Sequence, residues 1–154
     1  MADLLALTRK ESLLVTRFVA LLRQEQEALQ RGDATALPAL TTDKAKLVDE
    51  LNTLAIQRNK TLELEGLATD SAGMSAWLQR NPGDKTAHKA WSDLLALARQ
   101  ARELHEQNNQ LLTLHLRETN EALSVLQQEV RKSQLYGPDG QSSPLTGNRI
   151  IDAA

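Results

Sequence analysis

The chain has 154 residues, with 18 Lys and Arg against 20 Asp and Glu, a formal charge of −2, and no cysteine. That length fits one domain, the balanced charge argues against a nucleic-acid binder held by bulk attraction, and the missing thiols exclude disulfides, a cysteine nucleophile and thiolate metal sites. Aromatic residues make up only 3% of the chain while Leu and Ala dominate, a composition that suits helix–helix packing and poorly suits an aromatic-walled enzyme pocket.

The acidic start at Asp3 does not read as a secretory signal, and no apolar run approaches the ~18–20 residues that span a bilayer. A protein without stable membrane insertion is therefore expected. The lack of cysteine suits a reducing cytosol.

Helix 1 is expected from about residue 3 to 31. Asp3 is its N-cap, and Leu4, Leu7, Leu14, Phe18, Leu21 and Ala28 recur at heptad-like spacing, with Leu22 and Leu29 widening the stripe. Gly32 ends it and Asp33 is read as the next N-cap. Helix 2 is expected over 34–64, its regular part starting at Ala34 or at Pro38, with a stripe of Leu37, Leu40, Leu47, Leu51, Leu54 and Leu62.

Each stripe is broken by two charges: Glu11 and Glu25 in helix 1, Lys44 and Arg58 in helix 2. In an antiparallel hairpin, facing residues have a constant sum of residue numbers. Glu25 with Lys44 and Glu11 with Arg58 both sum to 69, as do Phe18 with Leu51 and Leu7 with Leu62. One register thus matches charge to charge and leucine to leucine.

Residues 65–83 carry Gly66, Gly73, Pro82 and Gly83 and read as a connector, in which Met74 to Leu78 form a short helical turn that tucks Trp77 onto the bundle. Asp84 then caps a third helix over about 84–135, a stretch with no Gly or Pro. Such a helix is roughly 75 Å long at ~1.5 Å per residue. Its apolar face runs from Leu94 and Leu97 through Leu111, Leu112, Leu116, Leu123 and Leu126 to Val130. Beside two helices of about 30 residues, some 15–20 residues of the third extend past its neighbours. That surplus includes Leu116 to Val130, an apolar stripe that wants a partner helix, a second copy or a fold-back of the tail. Gly137-Pro138-Asp139-Gly140 is a turn, and residues 141–148 are rich in Ser, Pro, Thr and Gly. The expected architecture is all-α: an elongated three-helix antiparallel bundle or coiled coil with a long third helix, one helical domain over 1–136, and a flexible C-terminal tail over 137–154.

Catalytic and metal chemistry find little support. Three residues before His88, His105 and His115 stand Lys85, Arg102 and Leu112, so the Glu-x-x-His pattern of helical di-metal sites is absent. There is no Gly-x-Ser-x-Gly elbow and no Gly-rich phosphate loop. A protein without enzymatic activity, cofactor or metal is expected. Asn108 lies mid-helix, where Asn is unfavourable; it reads either as a register-setting buried Asn or as a polar anchor in a binding groove. Tyr136 stands where the helix gives way to the turn, and reads either as a docking residue or as a cover for the last helical turn.

Four features together resemble the FlgN family of bacterial flagellar export chaperones: Glu25 before Ala28-Leu29 in a Leu-rich first helix; Gly32-Asp33 followed by Lys44 and Leu47-Val48; His105-Glu106-Gln107-Asn108-Asn109-Gln110-Leu111-Leu112 in the long helix; and Leu135-Tyr136-Gly137-Pro138-Asp139-Gly140-Gln141 at its end. Members often show Asn-x-x-Asn-Gly in the long helix. Here His105 and Asn109 replace the first Asn and the Gly, which leaves Asn108 as the matched anchor. The resemblance covers about residues 4 to 141. It implies a cytoplasmic chaperone that binds the C-terminal amphipathic segment of the hook–filament junction proteins FlgK and FlgL and delivers them to the flagellar type III export gate. It makes Asn108, Leu112, Leu116, Leu123, Leu126 and Val130 the client-binding candidates, and Tyr136 the candidate contact for the gate component FlhA. The alternative is a self-assembling structural coiled coil without a client, using the same stripe to pair with itself as a homodimer.

Overall fold

The computed structural model describes residues 3–135. All regular structure among them is α-helical, in four helices: α1 Leu4–Arg31, α2 Leu37–Leu64, α3 Ser71–Arg80 and α4 Lys85–Leu135. The backbone groups into two compact units, Met1–Leu111 and Leu112–Ala154. The expected tail over 137–154 lies outside the described residues.

Helix ends follow their capping chemistry. Asp3 accepts from the Leu5 amide at 3.0 Å, and Gly32 closes α1 at φ 67°, with the Asp33 amide donating to the Ala28 carbonyl at 2.8 Å. Asp33 does not cap α2, contrary to the sequence reading. Its carboxylate is taken by the amide and hydroxyl of Thr35 at 3.1 and 2.6 Å, a local turn that postpones the helix to Leu37, with Pro38 in its first turn. Thr35's hydroxyl, donating to that carboxylate, holds it below its usual range. Asp84 accepts from the Ala87 amide at 3.0 Å and so opens α4.

The number of helices departs from the expected three. Residues 71–80 form a ten-residue helix of their own rather than the short turn read from Met74 to Leu78. Asp70 caps it by accepting from the Gly73 amide at 3.0 Å, and Met74 and Leu78 are buried in the core. Gly73, read as loop punctuation, has a packing reason instead: a Cβ there would overlap the Ala68 carbonyl. The glycine lets α3 close onto the chain that precedes it.

The first unit is built on the α1–α2 pair. Lys44 Nζ lies 3.0 Å from Glu25 and Arg58 Nη1 lies 2.6 Å from Glu11, so the two helices are antiparallel in the register whose facing residues sum to 69. Leu22 and Leu62 are completely buried, in a core shared with Val15, Val19, Met74, Ala87, Trp91 and Leu94. Val15 and Val19 fall outside the heptad stripe predicted for helix 1. A heptad count assumes one neighbour, whereas α1 packs against both α2 and α4 and needs a wider buried face.

Gly73→Ala should destabilise the protein by about 1–3 kcal/mol through overpacking against the Ala68 carbonyl. Urea unfolding followed by helical circular dichroism measures it; an unchanged midpoint would show that the α3 approach is not tight.

Candidate functional site

Polar groups inside the first unit meet at two three-helix junctions. At the first, Glu25 of α1 receives Lys44 of α2 through both carboxylate oxygens, at 3.2 and 3.0 Å, and Asn108 of α4 through Nδ2 at 2.9 Å. The same Asn108 nitrogen donates to the Leu22 carbonyl at 2.8 Å. At the adjacent positions on the surface, Gln26 donates to Gln107 at 2.9 Å. At the second, Glu11 of α1 is bound by Arg58 of α2, whose guanidinium lies 5.6 Å from the centroid of the Trp91 ring of α4. Since Glu11 meets the level of Trp91 and Glu25 that of Asn108, α1 and the first part of α4 run in the same direction.

Asn108 is therefore 2% exposed, a member of the bundle rather than the wall of an open groove. Of its two sequence readings, register setting matches this geometry. Its Nδ2 protons are spent on α1, and its Oδ1 is buried without a protein partner. It adds a second donor to the Leu22 carbonyl, which lies mid-helix, and to a Glu25 oxygen that Lys44 also reaches.

Glu11 is the costlier group. Burial pushes its carboxyl above the ordinary value of 4.5, outweighing the lowering pull of Arg58. One of its oxygens has no partner, so desolvation of the charge is only half answered. The folded state thus holds the Glu11 proton more tightly than the unfolded chain does. The stability this contributes is fully present below 4.5 and is lost as pH climbs through the raised folded value.

The remaining site candidates are in the second unit. Leu112, Leu116, Leu123, Leu126 and Val130 are 42, 56, 50, 60 and 42% exposed, an apolar stripe at coiled-coil spacing along α4. Two further exposed side chains escaped the sequence reading. Leu114 and Val125 are 46 and 57% exposed, and at about 100° per residue they fall roughly opposite the stripe. Eleven residues apart, they share a face of α4 that the heptad stripe does not include. Tyr136 lies outside the described residues. His115 Nδ1 is 3.7 Å from Glu118 Oε2, and no cluster of three metal-binding side chains occurs among the described residues. No helix among them is long and apolar enough to cross a membrane.

These features describe an all-α protein: a first unit whose helices are tied by buried polar groups and, among the described residues, a second unit whose helix exposes apolar side chains. The family model described as FlgN protein matches residues 1–144, and the chain belongs to the FlgN family. No curated protein and no solved structure shows a significant match to it.

Asn108→Ala should cost about 1–3 kcal/mol, because it removes two hydrogen bonds from α4 to α1 and leaves a cavity at a buried position. Chemical unfolding measures it, and a loss below about 0.5 kcal/mol would place that junction outside the folded core. Separately, the wild type should lose the Glu11 contribution as pH climbs above 4.5, and Glu11→Gln should remove that part of the decline. Unfolding midpoints taken across that range read it, and parallel wild-type and variant curves would exclude Glu11 as the source.

Proposed function

We propose that this protein is a cytoplasmic chaperone of flagellar export, without enzymatic activity, that holds the C-terminal amphipathic segments of FlgK- and FlgL-type junction proteins until they reach the export gate. Membership of the FlgN family supports the class. The observation that carries the site is the stripe from Leu112 to Val130, heptad-spaced and about half exposed. An amphipathic client helix laid along it covers the remaining half of each side chain, worth about 1 kcal/mol apiece. Ordering of the client offsets much of that gain. The outcome is a complex firm enough to escort a client and weak enough to release it.

Within this reading the client contacts are Leu112, Leu116, Leu123, Leu126 and Val130. Asn108 acts one step back, by tying the preceding part of α4 to α1. Leu114 and Val125 offer a second contact line for a client that wraps the helix. Tyr136 is the proposed contact for FlhA, a role that rests on the family resemblance alone. The competing reading, a client-free coiled coil, uses the same stripe for tight self-pairing and predicts that an added client segment leaves it unchanged.

Co-expression with a FlgK-type client followed by co-purification is the direct test. Leu123→Asp or Leu126→Asp should weaken the complex by at least about tenfold while leaving helicity intact, because a carboxylate replaces buried apolar contact. Tyr136→Ala should leave the complex intact and reduce export. Failure to isolate a complex with the client or its C-terminal fragment would refute the chaperone reading, and loss of the client in Tyr136→Ala would merge the two proposed sites.

A further inference from the structure

The exposed stripe on α4 lacks charges where pairing helices usually carry them. With Leu112, Leu116, Leu123, Leu126 and Val130 as the apolar seam of a heptad, the positions beside the seam form two flanks. In coiled coils the charges on such flanks set partner choice and orientation. One flank here is Thr113, Asn120, Gln127 and Gln134, seven residues apart and without a charge. The other is His115, Ala122 and Glu129, and its single carboxylate has Lys132 at 3.7 Å. Arg117, Glu118, Glu121, Arg131 and Lys132 fall on the rest of the helix surface, about 100° or more from the seam. The first unit is built the opposite way, with Glu11–Arg58 and Glu25–Lys44 lining the α1–α2 contact. Charge selects the pairing inside the bundle and is missing beside the stripe of the second unit.

We infer that the stripe takes an amphipathic segment that is itself uncharged along the edges that meet α4, its flanking positions held by Asn, Gln, Ser or Thr. This rests on the chaperone reading and names the chemistry of its client. A carboxamide carries both donors and an acceptor, so Asn120, Gln127 and Gln134 can pair with an amide or hydroxyl opposite them in either helix direction. They offer no counter-charge. A Lys or Glu opposite them gives up part of its hydration without compensation, and that penalty discriminates against segments with ionic flanks. Thr119 and Ser133 carry the same uncharged polarity into the seam itself. Because no flanking charge dictates one partner sequence, segments of different sequence can share the site as long as their own flanks are uncharged.

Fluorescence anisotropy with the full chain and a labelled C-terminal segment of a FlgK-type client tests this. Between about 0.05 and about 0.5 M salt, a range over which surface charges become screened, the dissociation constant should change by less than about twofold. The double variants N120E/Q127E and N120K/Q127K place good helix formers at both positions and should keep the helicity seen by circular dichroism. Each should weaken the complex by at least about threefold, whichever sign is introduced. Arg117→Gln, away from seam and flanks, should leave it unchanged. A dissociation constant that rises about tenfold with salt, or one double variant that tightens the complex while the other weakens it, would reveal a charged client flank and overturn the inference while the chaperone reading stands. Indifference to both double variants would place the segment off these flanks and overturn it as well. A segment that fails to bind the wild type at all refutes the chaperone reading, and this inference falls with it.

Discussion

The Glu25 carboxylate holds three helices at one level. Lys44 reaches it from α2 and Asn108 from α4, while the Asn108 amide also takes the Leu22 carbonyl. Exposed ion pairs contribute only ~0–1 kcal/mol, and this one is partly exposed on both sides. Its importance is positional. A slip of α2 separates Lys44 from Glu25; a slip of α4 takes the Asn108 amide away from the Glu25 carboxylate and the Leu22 carbonyl. The Glu11–Arg58–Trp91 junction repeats the constraint lower in the bundle. Between the two levels the leucines and valines of the core have one register available, as buried polar groups in coiled coils select one pairing among many of similar apolar content.

That constraint bears on function because it determines which apolar side chains the bundle consumes. In α4 the buried residues are Ala87, Trp91, Leu94, Ala101 and Asn108, all in the first unit. The leucines from Leu112 onward stay exposed. A helix that presents large apolar residues at regular spacing is costly to leave uncovered, and in a FlgN-family chain the proposed client segment has a natural place on it. Glu11 is a charge at the edge of that core: burial raises its pKa although Arg58 stands beside it.

Much of the first unit was legible from charged residues in the wrong place. Glu11, Glu25, Lys44 and Arg58 interrupt leucine stripes, and only one antiparallel register neutralises all four. The third side of the unit was harder to read. Val15 and Val19 face a second neighbour that heptad counting on one stripe does not see, and α3 was hidden by Gly66 and Gly73, of which the second is a close-approach residue. Asn108 was legible as a residue needing a partner, but its partners are 83 and 86 positions away in sequence, beyond any local pattern. Leu114 and Val125 lie outside the heptad stripe on the other side of α4, so their exposure is what reveals them.

The central claim is a division of labour along α4: residues up to Asn108 belong to the bundle, and those from Leu112 to Val130 are kept for a client. Amide hydrogen exchange along α4, with and without a FlgK-type C-terminal segment, tests it most directly. Residues 87–108 should be protected in both states, and residues 112–130 should exchange readily in the free protein and gain protection on binding. Protection gained within 87–108, or on α1 and α2 with none in 112–130, would contradict it.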